Sequence, residues 1–150
     1  MERSQFKETL EFAIQQEQEA VDAYTAASVL VTQANIADML RGLAEQEVGH
    51  KRRLMSIDLS GISDAHVRDI PDLRIAEYAS DVDFAPTMDY QQVLTVAMKR
   101  EETARNLYLH LASISDESEL RELFEFLASE EAKHKLLLEK EYDENVLTQN

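Results

Sequence analysis

The stretch L43-A-E-Q-E-V-G-H50-K51 breaks the rhythm of the helix that contains it. Apolar residues recur at Ile36, Met39/Leu40 and Leu43, and again at Leu54, the alternating spacing of three and four that marks one face of a helix. The two beats between Leu43 and Leu54 fall on Glu47 and His50. A carboxylate and an imidazole therefore stand on the stripe that should face a core.

The same break occurs a second time. An offset of 84 residues carries L43-A-E-Q-E-V-G-H50 onto L127-A-S-E-E-A-K-H134 and E17-Q-E-A-V-D-A-Y24 onto E101-E-T-A-R-N-L-Y108, without a gap. Ala13, Ala20, Leu43, Ala44, Lys51 and Leu54 land on identical residues under this shift. Such self-similarity marks two copies of one supersecondary unit. Here the unit is a helical hairpin, and the two copies are related by a pseudo-twofold axis.

Four segments carry helical periodicity, at about 4–31, 33–57, 89–114 and 117–141. The first stripe reads Phe6, Leu10, Ala13, Glu17, Ala20, Tyr24, Ala27, Val31; the third reads Tyr90, Leu94, Ala97, Glu101, Ala104, Tyr108, Leu111. The fourth runs through Leu120, Leu123/Phe124, Leu127, Glu131, His134 and Leu138. Asp89 precedes the third segment, and Asp116 with Glu119 supplies start signals for the fourth. Short links make the members of each pair antiparallel neighbours. Residues 58–88 hold both Pro and no sustained period, which predicts a long crossover between hairpins 4–57 and 89–141. The expected fold is an all-α antiparallel four-helix bundle, one domain spanning 1–150.

Composition narrows the chemistry. The chain has no Cys, so any metal is held by oxygen and nitrogen. A net charge of −15 argues against nucleic acid and anionic lipid as partners. No apolar run approaches the roughly 20 residues of a membrane span, and the polar start MERSQFKETLEFAIQQ lacks a signal-peptide core, so cytoplasm is the expected location.

Each half places one Glu on its first helix and a Glu-x-x-His on its second. Residues three apart share a helix face, so Glu47 points with His50 and Glu131 with His134. Together with Glu17 and Glu101, four carboxylates and two imidazoles converge on the bundle axis. Uncompensated, four buried carboxylates are untenable. Arg100, Lys51 and Lys135 lie beside the seam rather than on it. Two divalent cations would balance the four negative charges, with neutral His adding nitrogen. Each metal then takes one His and one private Glu, and two Glu bridge the pair. Mixed carboxylate and imidazole ligands suit iron, manganese or zinc; iron fits best, because carboxylate bridges tolerate two oxidation states. Tyr24 and Tyr108, seven residues after Glu17 and Glu101, are either core residues or hydrogen-bond donors to a ligating carboxylate on the facing helix. His66, in the crossover, and His110, off the seam, are expected at the surface.

These residues resemble the ferritin-like superfamily of dimetal carboxylate proteins, whose pattern is two Glu plus two Glu-x-x-His on a four-helix bundle. Within it, E17-x6-Y24, E101-x6-Y108 and L127-A-S-E-E-A-K-H134-K are similar to the rubrerythrins. The resemblance implies metal ligands at Glu17, Glu47, His50, Glu101, Glu131 and His134, and a diiron centre that reacts with hydrogen peroxide or dioxygen. It also implies a peroxidase in oxidative-stress defence, supplied with electrons by a separate rubredoxin-type protein. A homodimer is the expected assembly. Rubrerythrins usually carry a further carboxylate one turn after the third-helix Glu; that position is Ala104 here, and its pseudo-symmetric counterpart is Ala20. The six-residue set equally resembles bacterioferritin-type ferroxidase centres, which makes iron handling the alternative function. A zinc-bound or metal-free helical scaffold is the third.

Overall fold

In the computed structural model, which describes residues 3–57 and 84–145, the chain forms four α-helices: α1 (Arg3–Ser28), α2 (Ala34–Met55), α3 (Tyr90–Ile114) and α4 (Ser118–Asn145). No strand occurs among the described residues, and the architecture is an all-α four-helix bundle. α1 packs along α2, α3 packs along α4, and α1 also meets α3. The expected crossover lies almost wholly outside the described residues, as does His66.

The helix starts follow local chemistry. Asp89 caps α3: its carboxylate accepts from the Gln92 amide at 2.9 Å, and its own amide donates to the Gln92 side chain at 3.0 Å. This reciprocal pair satisfies two amides that would otherwise lack partners. Asp89→Ala is expected to cost about 0.5–2 kcal/mol, a modest drop in melting temperature by circular dichroism; an unchanged melt means α3 does not depend on its cap. Arg52 and Arg53 occupy the last turn of α2, where positive charge complements the helix dipole. α1 stops at Ser28, three residues short of the periodicity, because Val29 and Leu30 close tight turns onto Ala26 and Ala27. α4 starts at Ser118, two residues after Asp116, and runs on to Asn145.

Two apolar clusters fill the bundle. One joins Phe6, Leu10, Leu54, Leu107, Leu111, Ile114, Leu120, Phe124 and Leu127, with the Phe6 and Phe124 rings edge to face at 6.3 Å. The other joins Tyr24, Ala27, Ile36, Leu40, Leu43, Val93, Leu94 and Leu138. Antiparallel pairing puts the first at the end that holds the start of α1 and the close of α3, and the second at the opposite end. Between these clusters lie Glu17, Glu47, His50, Glu101, Glu131 and His134, all buried.

Candidate metal centre

Each of the six polar residues reaches the interior because it holds a core position on its helix. Glu17 and Glu101 come from the middle of α1 and α3; Glu47 with His50, and Glu131 with His134, come from α2 and α4. The four carboxylates are 1–2 % exposed and the imidazoles 4–5 %. Oxygen and nitrogen atoms from Glu17, Glu47, His50 and Glu131 lie within 4.8 Å of one another, as do those from Glu47, Glu101, Glu131 and His134. Glu47 and Glu131 therefore belong to both groups. Glu17 with His50 is private to one group, and Glu101 with His134 to the other.

The imidazoles face inward through Nδ1. His50 Nδ1 lies 2.7 Å from Glu131, 3.5 Å from Glu47 and 3.9 Å from Glu17. His134 Nδ1 lies 3.1 Å from Glu47, 3.4 Å from Glu101 and 3.8 Å from Glu131. The two rings are almost parallel, 9° apart in plane with centroids at 5.8 Å. Each of the six residues keeps one buried donor or acceptor atom without a hydrogen bond among the described residues: Glu17 Oε2, Glu47 Oε1, His50 Nδ1, Glu101 Oε2, Glu131 Oε1 and His134 Nδ1. Buried polar atoms are nearly always satisfied, whereas these six face one another without hydrogen-bond geometry. Oxygen and imidazole nitrogen in this number and spacing fit a pair of transition-metal cations.

Tyr24 and Tyr108 complete the arrangement crosswise. The Tyr24 hydroxyl on α1 donates to Glu101 on α3 at 2.7 Å, and the Tyr108 hydroxyl on α3 donates to Glu17 on α1. Each phenol thus steadies the private carboxylate of the opposite hairpin, leaving that carboxylate's other oxygen for a cation. Both phenols are core residues as well, so the two roles expected of them coincide.

Without cations, the cluster manages its charge with protons. Burial and the neighbouring Glu47 charge hold the Glu17 carboxyl well above the usual carboxylate range. Burial and the charges of Glu101 and Glu47 do the same to Glu131. Burial pushes Glu47 upward too, but close approach to Glu17, His134 and His50 outweighs it, and this carboxyl sits below the usual range. Burial disfavours charge on His134, yet Glu101 and Glu47 prevail and raise it to about 10. Burial and the adjacent carboxylates also raise both phenols. The basic side chains beside the seam are engaged elsewhere: Lys51 with Gln18 at 2.7 Å, Lys135 with Glu102 at 2.9 Å. Arg100 donates to the Glu19 carbonyl.

The sequence profile of the Rubrerythrin family matches residues 92–150, the part that holds Glu101, Tyr108, Glu131 and His134. Over those residues the chain is similar to the rubrerythrins. A solved structure of a hypothetical protein from Pyrococcus furiosus superposes with a TM-score of 0.69 at 24% identity, covering 92% of this chain and 88% of that one. That likeness concerns the fold. No curated protein matches the chain.

One polar neighbour escaped the periodicity. Gln46 brings its side-chain oxygen to His134 Nε2, which directs the ring's other nitrogen at the cluster. Gln46 falls on an exposed position and aligns with Glu130 in the repeat, so neither burial pattern nor self-similarity flags it. Glu45, next to it, is exposed and outside the cluster. His110 departs from expectation: it is half-buried rather than at the surface, and burial lowers its pKa. No helix among the described residues is long and apolar enough to cross a membrane.

Proposed function

We propose that the chain is one ferritin-like domain that binds two iron ions and uses them to reduce hydrogen peroxide. The observation that carries this reading is the pair of overlapping ligand groups, each with an unsatisfied buried atom from every member. Glu17 and His50 would hold one ion and Glu101 and His134 the other, with Glu47 and Glu131 available to both. Iron held there would supply the two electrons that, with two protons, turn H₂O₂ into two waters. The protein's own part is to fix the carboxylates through Tyr24 and Tyr108, direct His134 through Gln46, and keep bulk water out with the flanking apolar clusters. The chain has no Cys, so a rubredoxin-type donor outside these residues returns the electrons. Manganese or zinc would fit the same ligands, but zinc would give no redox chemistry.

A ferroxidase reading is favoured by one observation, the alanines at 20 and 104, which leave the set symmetric and without a seventh carboxylate. The two readings separate in one experiment. Protein purified aerobically is analysed for metal, then loaded anaerobically with Fe(II) and mixed with stoichiometric H₂O₂ or with O₂. Ferric absorption that develops much faster with peroxide supports the peroxidase. Reaction with O₂ alone assigns ferroxidase, and a light-scattering mass of a dimer or tetramer then excludes cage storage. Less than one metal per chain after loading overturns both.

A further inference from the structure

A small cavity lies between α1 and α3, on the flank of the acid cluster. Its volume of about 30 Å³ is roughly twice the 10–15 Å³ that one water occupies, which suits a molecule of two oxygen atoms. Leu107 and Tyr108, both buried, form its inner wall. Gln16, Ala20, Arg100, Thr103 and Ala104, all half-buried, form the outer part. Gln16 with Arg100, and Ala20 with Ala104, are partners under the 84-residue repeat, so the cavity straddles the pseudo-twofold axis. Gln16 and Arg100 immediately precede Glu17 and Glu101, and the two alanines follow those carboxylates by one turn. The space exists because both positions carry a methyl group in place of a longer side chain.

The inner end connects to the chemistry. Tyr108 closes the cavity with its ring while its hydroxyl donates to Glu17. Tyr24, its counterpart, packs against Phe84, with ring centroids 6.0 Å apart. We propose that this cavity is the portal through which hydrogen peroxide reaches the cluster, with Tyr108 as its inner gate and Ala20 and Ala104 as the residues that keep it open. The inference rests on the peroxidase reading and names its route of access. The lining also favours peroxide over dioxygen. The Gln16 amide donates to Glu19 at 3.2 Å and the Thr103 hydroxyl to the Lys99 carbonyl at 3.0 Å, which leaves the oxygens of both as acceptors. Peroxide has two O–H groups to offer them, and dioxygen has none.

The test pairs a metal-independent measurement with a kinetic one. Hydroxyl-radical footprinting of the metal-free protein compares Tyr108 with Tyr24, which are equally buried at 1% exposure. Tyr108 is expected to be oxidised several-fold faster in the wild type, and to fall to the level of Tyr24 in Ala104→Leu and Ala20→Leu. Equal labelling of the two tyrosines in the wild type overturns the portal. In the iron-loaded, reduced protein, both substitutions are expected to slow oxidation by H₂O₂ about tenfold or more, as for an encounter that needs an added conformational opening. Ala104→Ser, which stays small, is expected to react at the wild-type rate. Melting curves and iron content of each variant identify any loss of folding or of metal. If one leucine variant does not fold, the footprint of the wild type and the kinetics of the other still decide. Blocked labelling with an unchanged peroxide rate overturns the portal and leaves the peroxidase intact; a wild type loaded with iron yet inert to peroxide overturns the peroxidase reading and the portal with it.

Discussion

The metal-free protein is expected to lose stability steadily as pH rises from about 5 to 9, and the metal-loaded protein to do the opposite. The sign follows from the buried cluster. Glu17 and Glu131 have folded-state pKa values raised well above the usual 4.5, so the folded chain holds protons that the unfolded chain has released. Their contribution is fully present below the unfolded value and is lost as pH climbs through the folded one. His134, raised from 6.5 to about 10, acts in the same direction over a higher window. Glu47 opposes them, because its folded pKa is depressed; its contribution is present above the unfolded value and is lost only as pH falls below it. The net slope between the two regimes is therefore downward. Tyr24 and Tyr108 extend the decline above pH 10, since their folded pKa values also exceed the unfolded one.

Cations replace those protons. Metal binding requires deprotonated carboxylate and neutral imidazole, so it expels the protons on Glu17, Glu131 and His134 and tightens as pH rises. At a free-metal concentration of about 1,000 times the dissociation constant, each site adds about 4 kcal/mol. Two sites in a chain of this size then raise the melting temperature by roughly 15–30 °C. Calorimetry across pH, with and without Fe(II) under anaerobic conditions, checks the crossing of the two curves. Zinc is a redox-silent second probe. A metal-free melt that is flat with pH, or rises with it, would falsify the proton-loaded cluster.

How far the sequence reaches into this picture depends on whether a feature repeats. Glu17, Glu47, His50, Glu101, Glu131 and His134 were legible because each breaks an apolar stripe and each break has a partner at one offset. A bundle seam is also a strong periodic signal, so helix pairing followed from short links and stripe phase. What does not repeat was hidden. Gln46 reaches His134, but its counterpart is Glu130, and nothing about an exposed glutamine announces a contact across the bundle. Which two carboxylates are common to both groups was not legible either. Spacing gives four equivalent Glu; only the packing of α2 and α4 brings Glu47 and Glu131 into both groups. The helix ends drifted by a few residues, as at Ser28, because periodicity continues past the point where turn hydrogen bonds stop the helix. His110 was assigned to solvent by its phase, yet the packing of α3 half-buries it.

Replacing either shared carboxylate by its amide is expected to abolish metal binding, yet to move the metal-free protein in opposite directions. Glu131→Gln substitutes a neutral side chain of the same shape for a carboxyl that already holds a proton. It removes the need to keep that proton as pH rises, so the metal-free variant is expected to be more stable than wild type at pH 7 by up to about 3 kcal/mol, the cost of holding a proton that the unfolded carboxyl has released. The gain should grow with pH by up to about 1.4 kcal/mol per unit. Glu47→Gln removes a carboxyl whose charge the cluster favours. His134 then loses its charged partner at 3.1 Å and keeps as carboxylate neighbours only Glu101, at 3.4 Å, and Glu131, at 3.8 Å. Breaking a buried pair from one side costs about 3–5 kcal/mol, and the surviving neighbours place the expected loss toward the lower end. Both variants should bind metal far more weakly than wild type, by more than the roughly 10–100-fold that a ligand's outer partners command, because each carboxylate belongs to both candidate ligand groups. Denaturant melts of the stripped proteins at pH 7 and 8.5, with metal titrations followed by calorimetry, measure all four quantities. Equal signs for the two metal-free variants would show that Glu47 and Glu131 carry the same protonation, against the opposite directions in which the cluster shifts their pKa values. Full metal affinity in either variant would remove that carboxylate from the ligand set.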